Sequence, residues 1–343
     1  MADVSSCGKG DCRVSTTGVC AEGHSPLPSC PYYGQLEQSH AVAEDADLGD
    51  NLALNISRVT LSSGEALTVA DVDEFLRLRG IILIAVVGDR DSGKTTLLLS
   101  LYERFLRGPF AGRSFAGSRT LVSLEKKSHY SRLDSGRAEA DTARTPISEG
   151  LKFIHFGLGS QTSLSQIDLM LSDRAGETYR LARSDSKIVP ELIEISKADR
   201  VLLLLDGRRI ASAEDRAGAF QSVRQSVRAL LDGDALGASS IVQVATTKAD
   251  LLVQHPDNAL IQQQVAAFKN RLSADFAGRL RELTFWETAA RPRSHLPPAY
   301  GLEPLLLDWT ASRRRPVPPA EIPVHLEAEF DRLLVRTSIE VLP

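Results

Sequence analysis

The sequence predicts an α/β fold: a mostly parallel sheet between two layers of helices, preceded by a small cysteine-rich module. Three observations carry that reading. From residue 80 onward, short apolar runs alternate with longer amphipathic stretches, the pattern of strand–helix units that build parallel sheets. The first of these runs leads directly into a glycine-containing turn and a helix. All four cysteines lie in the first 30 residues, so the N-terminal segment obeys a different folding logic from the rest.

Residues 1–34 are the first unit. Cys7, Cys12, Cys20 and Cys30 sit among Gly, Ser and Pro, with few large apolar side chains. Such a segment cannot bury a core of its own and needs a cross-link or a metal. No charged and apolar leader opens the sequence, so a reducing, cytoplasmic compartment is expected. That favours a zinc site of four thiolates over disulfides. The spacing has four, seven and nine intervening residues and no Cys-x-x-Cys pair, which leaves two disulfides or free thiols open. His24 reads as a solvated loop histidine, with metal ligation the alternative.

Residues 35–79 read as a connector, acidic around Glu44, Asp45, Asp47 and Asp50, with one strand over 55–61. Thr68 ahead of Val69-Ala70-Asp71 is a capping-box-like start, and Val72, Phe75 and Leu76 continue at helical spacing. A helix over 69–78 follows. The main domain spans 80–312. Its predicted strands are 81–87, 151–156, 167–171, 201–205, 241–245 and 283–286; its predicted helices are 94–107, 186–198, 213–231, 257–280 and 301–311. Residues 313–343 open on Arg313-Arg314-Arg315 and three prolines, a linker before a segment at 324–341 that can pack back on the domain.

Charge and hydropathy exclude several classes. Forty basic against 44 acidic residues give a net charge of −4, which argues against binding nucleic acid through phosphate neutralisation. The longest apolar run, Ile81–Val87, has seven residues, far short of the roughly 20 that span a bilayer.

The turn after that run reads Gly88-Asp89-Arg90-Asp91-Ser92-Gly93-Lys94-Thr95, followed by Thr96. It fits G-x-x-x-x-G-K-[ST]. Glycines at both ends let backbone N–H groups close around a phosphate. Lys94 then reaches the β- and γ-phosphates, and the Thr95 hydroxyl can ligate Mg²⁺. The helix that starts there adds unpaired N–H groups and a favourable dipole, with Leu97, Leu98 and Leu101 turned to the core. Binding of a nucleotide is the strongest statement the residues support.

Three later segments choose the base and sense the γ-phosphate. Asp173-Arg174-Ala175-Gly176 follows a strand; Asp173 can hold Mg²⁺ through water and the Gly176 N–H can meet the γ-phosphate. Thr247-Lys248-Ala249-Asp250 follows another. The Asp250 carboxylate can accept from both the ring N–H and the exocyclic amine of guanine, a donor pair that adenine lacks, and the Lys248 stem can cover the base. Glu287-Thr288-Ala289-Ala290 follows the last strand, where small residues let backbone N–H groups approach the guanine oxygen. Each sits at the C-terminal end of a parallel strand, where open α/β sheets place ligands.

With these residues in view, residues 80–312 resemble a P-loop GTPase of the translation-factor and Ras-like class, a three-layer P-loop NTPase sandwich. Thr247 in place of Asn is an accepted variant in that class. The resemblance implies a switch-I threonine on the Mg²⁺; Thr145 is the candidate and Thr142 the alternative. Lys94 to Thr145 is 51 positions, longer than in compact Ras-like proteins, and includes an inserted element or long switch around Phe115–Thr120. The cysteine segment, the helix before the first strand and Gly88–Leu98 together are similar to the bacterial double-GTPase families. Those are implied components of GTPase-centred conflict or defence systems that act with protein partners.

Glu177 stands where Ras-like proteins carry a water-orienting Gln. Its charge near a triphosphate implies slow hydrolysis. Arg90, Arg174 or Arg144 is expected to supply positive charge in cis, against the alternative that Arg90 points to solvent or pairs with Asp89 or Asp91. The expected activity is GTP binding and Mg²⁺-dependent hydrolysis to GDP and phosphate, with output through a conformational switch. An ATP-using P-loop protein and a non-hydrolysing GTP-bound scaffold are the alternatives.

Overall fold

The computed structural model describes residues 14–20, 23–31, 33, 62–131, 149–160, 166–293 and 295–311. The chain divides into two compact units, Met1–Val59 and Thr60–Pro343. In the first, a single helical turn at Val14–Thr17 and a 3₁₀ turn at Leu27–Ser29 flank Cys20, and both Cys20 and Cys30 are buried free thiols. Cys7 and Cys12 lie outside the described residues, as do the expected strand at 55–61 and the segment after 311. Among the described residues no three Cys, His, Asp or Glu side chains converge as a metal site, so the zinc expected there gains no support.

The second unit is built on a seven-stranded sheet: β1 (Ile81–Val87), β2 (Arg113–Gly117), β3 (Lys152–Ser160), β4 (Gln166–Asp173), β5 (Arg200–Asp206), β6 (Ile241–Thr247) and β7 (Glu282–Glu287), in the order β2-β3-β4-β1-β5-β6-β7. The five strands from β4 to β7 in that order are parallel, whereas β2–β3 and β3–β4 are antiparallel. The expected α/β sheet is therefore present, with an antiparallel hairpin at one edge. The stretch Phe115–Thr120, expected as an inserted element or long switch, begins within the edge strand β2.

Among the described residues, seven helices of a turn and a half or more flank it: α1 (Val69–Leu76), α2 (Lys94–Leu106), α3 (Leu121–Ser131), α4 (Gly176–Ala182), α5 (Arg216–Asp232), α6 (Asn258–Asp275) and α7 (Leu302–Thr310). Alternation along β1 sends Ile84 and Val86 to one face, and Ala85 and Val87 to the other. The first pair packs with Leu97, Leu101, Leu124, Leu305 and Trp309 of α2, α3 and α7. The second packs with Tyr179, Val223, Val227, Ile261 and Val265 of α4, α5 and α6. Two cores on opposite faces make the three layers. Burying such side chains contributes about 1.5–3 kcal/mol each.

α1 begins with the expected reciprocal cap. Asp71 N–H donates to Thr68 Oγ1 (3.3 Å) and Thr68 N–H to Asp71 Oδ2 (2.7 Å). The Thr68 N–H and the Thr68 hydroxyl, both donating to Asp71 Oδ2, hold the Asp71 carboxyl below its ordinary range. Val72 and Phe75 are buried, but Leu76 is exposed. The helix expected over 186–198 is instead a 3₁₀ segment, Ser186–Glu191, and one turn at Ile193–Ser196. Pro190 lies inside it and has no N–H to continue an α-helix. Among the described residues no helix is long and apolar enough to cross a membrane.

Candidate functional site

The glycine loop joins β1 to α2. Its backbone turns sharply: Asp91 and Gly93 have φ of 61° and 98°. Gly88 is required by proximity, because a Cβ there would lie 2.5 Å from Ser92 Oγ and 3.0 Å from Leu204 Cβ. Ser92 Oγ is buried and makes no hydrogen bond among the described residues, an orphaned polar atom facing into the loop. Lys94 is 8% exposed, and its Nζ donates to the carbonyls of Gly88 (2.8 Å) and Asp89 (2.9 Å). Burial holds its ammonium below the usual lysine range, opposed by the carboxylates of Asp173, Asp89, Glu177 and Asp91. Anionic oxygens at the loop would offset that desolvation.

Asp89 fixes the start of the loop to two distant arginines, Arg183 (2.6 Å) and Arg209 (3.1 Å). Arg90 is half exposed and lies 3.6 Å from Asp91, so the geometry matches the solvent-facing alternative. Arg174 is committed elsewhere: its Nε lies 2.8 Å from the buried Glu194 carboxylate, which also accepts from Tyr179 Oη. In this structure the Arg174 charge is paired with Glu194 within the fold. Arg144, Thr142 and Thr145 fall outside the described residues.

β4 delivers Asp173 to the same rim, fully buried and ion-paired with Lys127 of α3. Gly176 then opens α4 against the loop. A Cβ on it would lie 2.5 Å from Arg90 N, 2.6 Å from Asp89 C and 2.8 Å from Lys94 Nζ. Only glycine permits that approach. Glu177, half-buried, follows on the first turn and lies close enough to act on the Lys94 charge.

β6 brings up the base-selecting segment. Thr247 Oγ1 donates to Ser92 O (2.8 Å), and Lys248 Nζ donates to Asp91 O (2.7 Å) and pairs with Asp206 (2.9 Å). Lys248 adopts φ 50°, which turns the chain there. Asp250 is buried, and its Oδ2 accepts from Arg293 N–H (3.0 Å). A carboxylate has capacity for further donors beyond that one. The β7 segment corrects one expectation. Thr288 N–H donates to Thr246 O (2.8 Å) and Ala289 N–H to Tyr300 O (3.0 Å). The Ala289 amide is thus spent on a bridge to the segment before α7, and the Ala290 carbonyl accepts from Ala299 N–H (3.1 Å).

The loop, Asp173, Gly176, Glu177 and Thr247–Asp250 therefore line one rim of the sheet. Sequence reasoning missed Lys127, Arg183, Arg209 and Asp206, which pair with motif residues across long chain separations.

No curated protein sequence matches the chain. Among solved structures it is similar to the signal recognition particle receptor SRb-GTP/SRX complex from Chaetomium thermophilum. That match is 16% identical, covers 67% of this chain and 99% of that one, and has a TM-score of 0.39. It is also similar to the S. cerevisiae Ski7 GTPase-like domain bound to GDP and inorganic phosphate, at 14% identity, 72% and 53% coverage and a TM-score of 0.39. A third is the LeoA bacterial dynamin GTPase from ETEC, at 12% identity, 69% and 34% coverage and a TM-score of 0.30. The chain thus spans about half of the Ski7 chain and a third of the LeoA chain. The family model for Double-GTPase 2 matches residues 82–310, well over half of the sequence, and the chain belongs to that family of P-loop GTPases.

Proposed function

We propose that the chain binds GTP with Mg²⁺, hydrolyses it slowly to GDP and phosphate, and works as a nucleotide-controlled switch with protein partners. The observation that carries this reading is the pair of hydrogen bonds from Thr247 and Lys248 to the carbonyls of Ser92 and Asp91. They tie the base-selecting turn to the phosphate loop, so one nucleotide can touch both. Asp250 would accept from the guanine ring N–H and amine, the Lys248 stem would cover the base, and Ala290 would border the guanine oxygen. The N–H groups from Gly88 to Thr96 and the Lys94 ammonium would hold the phosphates.

The chemistry is attack of water on the γ-phosphorus in line with the leaving oxygen. Catalysis of that step is positioning and charge stabilisation. Thr95 Oγ1 and the Asp173 carboxylate are hard oxygen donors. Asp173 is buried at the same rim and would hold the ion through water, and Thr95 would ligate it directly; Thr145 would complete the set. When bound, Mg²⁺ supplies Lewis-acid stabilisation of phosphoryl oxygens. Glu177 would orient or repel the attacking water; its fixed charge is the reason for slow turnover. Loss of the γ-phosphate would release Gly176 and α4 from their contact with it. The resemblance to conflict-system GTPases extends the proposal to a bacterial defence role in the cytoplasm.

The test is nucleotide extraction from the purified full chain, then GTP and ATP titrations and phosphate release with and without Mg²⁺. Co-purified guanine nucleotide, preference for GTP and Mg²⁺-dependent release are expected. Equal binding of ATP would sink the guanine reading. A second reading, a GTP-bound scaffold without turnover, is favoured by Glu177. Multiple-turnover phosphate release excludes it.

A further inference from the structure

The turn that carries Gly176 is held by a buried carboxylate outside every motif. Glu194 belongs to the single helical turn Ile193–Ser196 and is 1% exposed. Two side chains donate to it, one from each side of Gly176 in the chain. Arg174 Nη2 donates to Glu194 Oε2 (3.1 Å), and Arg174 Nε lies 2.8 Å from Oε1. Tyr179 Oη, from the first turn of α4, donates to Oε1 (3.1 Å). Arg174 Nη2 also donates to the Glu191 carbonyl (3.3 Å), so its guanidinium grips the end of the 3₁₀ segment as well. Burial, reinforced by the Glu194 charge, holds the Tyr179 hydroxyl well above the usual tyrosine range, so it stays protonated and serves as a donor. A carboxylate this enclosed is tolerated only where charge and hydrogen bonds satisfy it, and here both of its oxygens are met.

Arg174 and Tyr179 bracket a point of close approach between this turn and the phosphate loop. A Cβ on Gly176 would sit 2.5 Å from Arg90 N and 2.8 Å from Lys94 Nζ. The chain is also fixed just before the turn, where Ser172 Oγ of β4 accepts from Val86 N–H of β1 (2.9 Å). Gly176 has no side chain of its own to hold it, so its neighbours set its place. Charge-assisted bonds to a buried acceptor are the strong and directional kind.

We infer that Glu194 is a positioning residue: through Arg174 and Tyr179 it sets where the Gly176 N–H and the Glu177 side chain stand relative to the γ-phosphate of bound GTP. This rests on the proposed assignment of Gly176 to the γ-phosphate. Glu194 supplies ordering that the γ-phosphate would otherwise have to impose on binding. GTP benefits from that hold; GDP, which ends at the β-phosphate, does not.

Two readouts on the full chain test it: competition affinities for GDP and a non-hydrolysable GTP analogue, and phosphate release in a single turnover. Glu194→Gln keeps the size and an oxygen acceptor but loses the charge that Arg174 pairs with. Affinity for the GTP analogue should fall about tenfold, GDP affinity should stay within about twofold, and phosphate release should slow. Tyr179→Phe removes a single hydroxyl and should show the same split more weakly, which keeps the test open if Glu194→Gln folds poorly. Arg174→Lys should retain part of the GTP preference that Arg174→Met loses. Denaturant midpoints are read beside each variant, because a merely structural residue lowers the midpoint and leaves the GTP-to-GDP ratio alone. An unchanged ratio in Glu194→Gln and Tyr179→Phe, or equal loss of both nucleotides, overturns the positioning role and leaves the GTP reading intact. Faster phosphate release in Glu194→Gln overturns it too, since Glu194 would then be withholding Arg174 from the phosphates. If wild type binds no guanine nucleotide, both readings fall.

Discussion

The two ends of the candidate site are held by different forces. At the base end, Thr247, Lys248 and Ala249 are tied to Ser92 O, Asp91 O and Thr288 O, and Asp250 receives Arg293 N–H. All of these are hydrogen bonds to or from neutral backbone, with the Lys248–Asp206 ion pair as the charge pair beside them, and a nucleotide has no reason to break them. At the phosphate end, Asp89 is held by Arg183 and Arg209, Asp173 by Lys127 and Arg174 by Glu194. Lys94 there is desolvated and turned onto carbonyls. Charge pairs are what an anionic triphosphate and a divalent cation can rewire. The base end is a fixed template; the phosphate end is a charge balance that ligand binding resets.

Lys94 gives the largest expected effect, because it is the one ammonium in the loop itself. Lys94→Ala should weaken GDP and GTP binding about 100-fold or more, the loss of charge-assisted bonds to phosphate. Fluorescence titration checks it. Equal loss for ATP and GTP is expected, since the phosphate end does not see the base. A selective loss for GTP would break the division drawn between the two ends.

Asp250→Asn probes the fixed template. The Asn carbonyl can still accept from Arg293 N–H, but its amide now meets the guanine donors. GTP affinity should fall about 100-fold, ATP affinity should change little, and a xanthine nucleotide, with a carbonyl where guanine has an amine, should gain. Competition titrations with the three nucleotides decide it. Unchanged selectivity would remove Asp250 from the base pocket.

The motif segments of both ends were legible in sequence and the long-range charge pairs were not, for a physical reason. Gly88–Thr95, Asp173–Gly176 and Thr247–Asp250 are short segments whose spacing is dictated by what they must surround, so the spacing itself is the signal. Lys127–Asp173 and Arg209–Asp89 join residues 46 and 120 positions apart, and nothing local marks either partner. The fold shows the same split. β1 was read to the residue because all seven positions are apolar. β2 escaped because Arg113–Gly117 is a short edge strand with a register shift and no buried residue. α3 escaped because its described buried positions are Ser123, Leu124 and Ser128, too polar to make an apolar stripe.

Gly176→Ala sharpens the comparison where the two forces meet. Its Cβ would enter the backbone of Asp89 and Arg90 at 2.6 and 2.5 Å. The loop must shift, which destabilises the chain by about 1–3 kcal/mol, and phosphate binding should weaken while base selectivity is retained. Denaturant midpoints and nucleotide titrations measure the two parts separately. A wild-type midpoint would mean that α4 is free to lift away from the loop.

The smallest expected effect lies away from the rim, beneath the lead-in to α3. His155 of β3 is 4% exposed, accepts Arg119 N–H at Nδ1 (3.0 Å) and faces Asp168 Oδ1 with Nε2 (3.1 Å). Nδ1 is thus an acceptor, and the proton of the neutral ring belongs on Nε2, donating to Asp168. Burial lowers its pKa from the ordinary 6.5; Asp168 opposes the shift, and Arg119 and Arg79 reinforce it. The unfolded chain therefore takes up a proton near pH 6.5 that the folded chain resists. Stability from this group is whole above that pH and declines as pH falls, by up to about 1.4 kcal/mol per pH unit, until the folded ring titrates. His155→Gln should flatten that decline between pH 6.5 and 5 in urea unfolding curves, with nucleotide affinity at neutral pH little changed. Parallel pH slopes in variant and wild type would assign the acid sensitivity to another group and leave His155 a neutral tie between β3 and the segment that starts α3.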